Sequence, residues 1–129
     1  MPQVSSIMRL HLSCRVWIAE MNFDINVLRI FDDYLKELSA IDNQSEVKTA
    51  VKYFETQFVE VRKQIDELRH EMHVIKMKLG AYSREKKPSH DNTYPGDTQP
   101  DVEKRYLAFR SSFNELKNEF SEFEGRWLE

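Results

Sequence analysis

Between residues 47 and 79, apolar side chains recur in steps of four and three without a miss: Val47, Val51, Phe54, Phe58, Val61, Ile65, Leu68, Met72, Ile75 and Leu79. A strand alternates its faces every second residue, so a mean spacing of 3.5 excludes one here. It draws a single apolar seam along a helix that packs against other helices. In heptad terms Val51, Phe58, Ile65, Met72 and Leu79 stand at a, and the other five at d. Asn43 is placed to cap the start, with Glu46 three residues on as in a capping box, and Gly80 stands where a C-terminal stop is expected. Such a helix is about 55 Å long.

The same stepping returns over 102–127, through Val102, Tyr106, Phe109, Phe113, Leu116, Phe120, Phe123 and Trp127. The stretch from Thr98 to Asp101, with Pro100 inside it, reads as a helix start. Six of these eight side chains are aromatic. Rings of that size overfill a thin two-stranded zipper and call for three or four helices around a common axis. Residues 24–41 form a shorter helix with a broad apolar stripe of Val27, Leu28, Phe31, Tyr34, Leu35, Leu38 and Ile41, joined to the long helix by a few residues around Asp42 to Gln44.

Between the two long helices, residues 81–100 carry Pro88, Pro95, Gly96 and Pro100, which forbid a continuous rod and make a flexible loop through which the helices fold back on each other. Residues 1–20 stand apart from the pattern. Met8, Leu10, Leu12, Cys14, Val16 and Ile18 alternate with Arg9, His11, Ser13, Arg15 and Trp17, which is strand periodicity, so an N-terminal extension is expected as a lone strand or as a segment ahead of a start at Met21. Residues 21–129 then make the helical domain.

The expected fold is all-α: a hairpin of two long coiled-coil-like helices plus a shorter N-terminal helix. A first helix of about 25 Å cannot cover a second of about 55 Å, so a homodimer is expected to complete the bundle, with helix one packed outside a four-helix core. The interface and core seam is assigned to Val51, Phe54, Phe58, Val61, Ile65, Leu68, Met72, Ile75, Leu79, Phe109, Phe113, Leu116, Phe120, Phe123 and Trp127.

Charge and cysteine content narrow the function classes. Nineteen Lys and Arg against 22 Asp and Glu leave a net charge of −3, with no general basic field for nucleic acid or anionic lipid. Lys76, Lys78, Arg84, Lys86 and Lys87 gather near the end of the long helix, where cations suit the helix dipole. A single cysteine, Cys14, excludes an internal disulfide and a Cys-rich metal cluster. No run of 18 apolar residues is long enough to span a bilayer. With three glycines in the chain there is no Gly-rich phosphate loop.

One cluster carries candidate chemistry. Asp66, His70 and His73 fall on the heptad face away from the seam, where an exposed imidazole could accept a phosphoryl group or bind a metal. His70-Glu71 followed by Met72-His73 is similar to the H-box of histidine-kinase dimerisation and phosphotransfer domains. The resemblance implies a helical hairpin that dimerises, with His70 as phosphoacceptor and Glu71 as its helper. His73-Val74-Ile75-Lys76 loosely resembles the H-x-x-K of histidine phosphotransfer domains, although Met77 stands where that family has glycine. Glu67 and His70 have the i, i+3 spacing of di-iron bundles, but no second such pair accompanies them.

The function expected from the sequence is therefore non-enzymatic: a cytoplasmic helical module that self-associates and binds another protein, without cofactor, nucleic acid or membrane. Histidine phosphotransfer through His70 is the second reading.

Overall fold

The structure, a computed structural model, describes residues 2–85 and 99–128, with side-chain surroundings over 8–81 and 101–125. It is all-helical, with no strand among the described residues: α1 (Pro2–Ile41), α2 (Ser45–Glu85) and α3 (Gln99–Leu128). Glu71 pairs with Arg105 while Tyr53 donates to Glu119 at 2.8 Å, so α2 and α3 run antiparallel. Asp32 pairs with Arg62 and Asn22 with Arg69, which makes α1 and α2 antiparallel as well. Glu20 meets Tyr106 and Asp24 meets Arg110, both 86 residues apart, so α1 and α3 are parallel. The result is an up-down-up three-helix bundle.

The expected N-terminal strand is a helix. From Pro2 onward this segment belongs to one 40-residue helix that passes through Met21. Its buried positions are Leu10, Cys14, Met21, Asp24, Leu28, Leu35 and Leu38, with Trp17 and Phe31 partly buried between them. Together these step by four and three from residue 10 to 38. Two stripes on opposite faces interleave here: Leu10 and Cys14 point inward, while Met8, Leu12 and Val16 are exposed. At 100° per residue, positions two apart lie roughly opposite one another, so two apolar stripes on one helix mimic the alternation of a strand.

This also removes the reason for helix one to sit outside. At 40 and 41 residues, α1 and α2 are both about 60 Å long. Phe58, Ile65, Met72 and Phe113 are dry within one chain, and Val51, Phe54, Val61, Leu68, Ile75, Leu79, Phe109, Leu116, Phe120 and Phe123 are buried beside them. Trp127 lies outside the described side chains. Around Phe120 the rings of Phe31, Tyr34, Phe54, Phe58 and Phe123 meet at centroid distances of 4.4–6.1 Å. All three helices contribute, which is the wide core the aromatics require.

Two local expectations are also corrected. The first helical bond runs from the Lys48 N–H to the Gln44 carbonyl at 3.0 Å, which puts Gln44 rather than Asn43 at the N-cap, and Asp42 Oδ1 accepts from the Gln44 N–H at 2.9 Å in a turn ahead of the helix. Gly80 does not end α2, which continues to Glu85. Glycine permits the left-handed turn of a stop but does not impose it, and Ala81, Arg84 and Glu85 favour helix. Of the expected loop at 81–100, residues 86–98 lie outside the described residues.

Candidate functional site

α1 presents its second apolar stripe to solvent. Met8, Leu12, Val16, Phe23 and Ile30 are exposed along one face, with Ala19 and Asn26 between them. Spacings of three and four put these residues on one line along the exposed side of α1, with Val16, Ala19 and Phe23 bordering α3. Phe23 is 66% exposed and Ile30 65%, values that burial against α2 or α3 would not leave. A contiguous stripe of this kind on a folded domain marks an interaction surface more often than scattered single exposures do.

Three stripe residues, Val16, Ala19 and Phe23, join Glu20, Asp24, Arg110, Asn114 and Lys117 in lining an open groove between α1 and α3. Its floor is polar. Arg110 Nη1 donates to Asp24 Oδ1 at 3.0 Å, and Nη2 lies 2.8 Å from Oδ2. The same Nη2 donates to the Tyr106 hydroxyl at 2.5 Å, which donates to Glu20 Oε1 at 2.5 Å. The Trp17 ring stacks on Tyr106 with centroids 5.2 Å apart. Burial opposes the charge on Arg110, but its bonds to Asp24 and Tyr106 more than offset that and hold its pKa above the ordinary value. Burial, and then the bond to Glu20, push the Tyr106 phenol up to about 12, with Arg110 acting the other way. Asp24 Oδ2 meets Arg110 as an ion pair without a hydrogen bond, and together the four groups tie α1 to α3 rather than offering a reactive group. Deeper in α1, burial pushes the Cys14 thiol up to about 11, opposed by Lys76, which makes it a poor nucleophile.

The acidic neighbours of the histidine cluster are engaged by arginines. His70 and His73 are exposed on α2. Glu71, the helper of the phosphotransfer reading, is paired with Arg105, which also donates to Asp101 at 3.1 Å. Asp66 accepts from Arg69 at 2.7 Å, and Arg69 also donates to Asn22 on α1 at 2.7 Å. Both carboxylates thus join salt bridges rather than the imidazoles. Asp66, His70 and His73 are not brought together as a metal site, and no group of three or more His, Cys, Asp or Glu among the described residues is placed to hold a metal ion. Among the described residues, no helix is long and apolar enough to cross a membrane.

The outer stripe of α1 is what sequence reasoning missed. Continuing the four-three steps backward from Leu38 would have found the inner seam, and the leftover apolar residues would then have drawn the outer one. Asp24 hides it by placing a carboxylate at a core position. No family model, curated protein or solved structure matches this chain.

Proposed function

We propose that this protein is a non-enzymatic, cytoplasmic helical module that acts by association, using the outer face of α1 as its contact surface. The observation that carries this is the division of α1 into two apolar faces. The inner face completes the bundle's core, whereas the outer face, from Met8 to Ile30, has no counterpart among the described residues. Exposed apolar area of this length costs solubility and contributes nothing to the fold that bears it, so a partner surface accounts for it best. The inter-helix ties formed by Asp24, Arg110, Glu71 and Arg105 give the module a fixed shape on which to present that face.

In-cell photo-crosslinking tests the reading directly. A photoreactive side chain at Phe23 or Ile30 is expected to give discrete protein adducts, and one at the exposed Lys63 on α2 is not. Equal yields from the two faces, or none from α1, would refute the assignment.

A further inference from the structure

From Leu12 to Ile30 the outer stripe runs Leu12, Val16, Ala19, Phe23, Asn26 and Ile30, in steps of four, three, four, three and four. This is a second heptad seam on a helix whose first is already buried. We propose that it pairs with the same seam of a second copy, the two α1 helices lying parallel about a two-fold axis. The proposal rests on the association reading above and supplies its partner.

Three features point to this occupant and orientation. The a positions are Val16, Phe23 and Ile30, and the d positions Leu12, Ala19 and Asn26. Val16 and Ile30 at a and Leu12 at d are the β-branched and leucine choices that favour two parallel strands, while Phe23, Ala19 and Asn26 stand outside that rule. Asn26 Oδ1 accepts from Arg29 of its own helix; parallel alignment sets Asn26 against Asn26 of the second copy, where the remaining amide donors face each other's oxygens, whereas an antiparallel pair would set it against Val16. The flanks discriminate most sharply. In a parallel pair, Arg15 at g faces Glu20 at e of the second copy on both sides of the axis, reaching the exposed carboxylate whose Oε1 accepts from Tyr106. Antiparallel, Arg15 would face Arg29 and Glu20 would face Glu20, placing like charges together.

A lipid surface fits less well. Hydrocarbon has no preference for a 3.5-residue spacing, and the Asn26 amide, with the Arg29 guanidinium that donates to it, would sit in the middle of the inserted face. The seam is about 27 Å long on a helix about 10 Å across, a footprint on the order of 300 Å². That lies below the roughly 800 Å² per partner of a standard specific interface, so the dimer is weak, reversible and concentration-dependent.

Sedimentation equilibrium of the full chain, taken to about 1 mM because small interfaces fill only at high concentration, is expected to show a monomer–dimer equilibrium. Phe23→Glu and Ile30→Glu should each weaken it by tenfold or more without altering the thermal melt of dilute protein. Oxidised Ala19→Cys should form a disulfide-linked dimer by itself, the buried Cys14 remaining silent. A monomer at every concentration would overturn the proposal, as would dimers insensitive to both glutamates. Cross-linking of Ala19→Cys only when mixed with Phe23→Cys would overturn the parallel arrangement. If the chain stays monomeric while Phe23 photo-adducts to a different protein persist, self-pairing fails and the association reading stands.

Discussion

Arg110 grips the buried carboxylate of Asp24 from α3 across to α1, with its two terminal nitrogens 3.0 and 2.8 Å from the two oxygens. Asp24 is 2% exposed and occupies an inner-seam position where every other occupant, from Leu10 to Leu38, is apolar. A buried pair of this kind adds little net stability over a well-packed apolar pair, because both charges lose their water. Its physical use is alignment: Asp24 has its partner only when α1 and α3 are in this register.

Removing one partner should therefore harm far more than removing both. Arg110→Leu leaves a carboxylate stranded in the core and should cost about 3–5 kcal/mol in urea denaturation. The double variant Asp24→Leu/Arg110→Leu should recover most of that loss. Equal destabilisation by single and double variants would show that packing, not charge pairing, governs the site.

Phe120 is the aromatic centre of the bundle, stacked on Phe31 at 4.4 Å and contacting Tyr34, Phe54 and Phe58 around its rim. Phe120→Ala should cost about 3–5 kcal/mol, as large-to-small core substitutions do. Leu107→Ala on the same helix, at an exposed position, should change stability by less than about 0.5 kcal/mol. Denaturant midpoints of the two variants provide the comparison.

Alkali should loosen the bundle through groups that are neutral when protonated. Cys14 has its pKa raised from 9.0 to about 11 and Tyr106 from 10.0 to about 12, so the folded state holds both protons more tightly than the unfolded chain does. Their contribution is complete below the unfolded values and fades as pH rises through the folded ones. For Cys14, fully buried, the fading amounts to roughly 2–3 kcal/mol as pH climbs from about 9 to about 11. Cys14→Ala should flatten the fall in urea midpoint over that window, leaving the steeper loss from Tyr106 at higher pH. An unchanged slope in Cys14→Ala would contradict the assignment.

The sequence disclosed α2 and α3 more fully than α1, for physical reasons. Seams such as Val47 to Leu79 and Val102 to Phe123 carry an apolar group at every step, so their period is audible in any window, and the rings of α3 correctly demanded a core wider than two helices. α1 has apolar groups on two faces and a carboxylate on the inner one. Its period is masked twice, once by Leu12 and Val16 interleaving with Leu10 and Cys14, and once by Asp24. Misjudging that half-helix made the bundle look short of cover. The histidine cluster was visible as a motif, but spacing along α2 could not reveal that Glu71 would turn to Arg105 and Asp66 to Arg69, because those choices depend on how the helices pack.

The most direct test compares two leucines two residues apart. Leu10 is 0% exposed and Leu12 is 59% exposed, on opposite faces of α1. Urea denaturation of dilute protein should find Leu10→Ala destabilised by about 2–5 kcal/mol and Leu12→Ala within about 0.5 kcal/mol of the parent. Equal losses at both positions, or a larger loss at Leu12, would contradict an α1 that folds with one face and associates with the other.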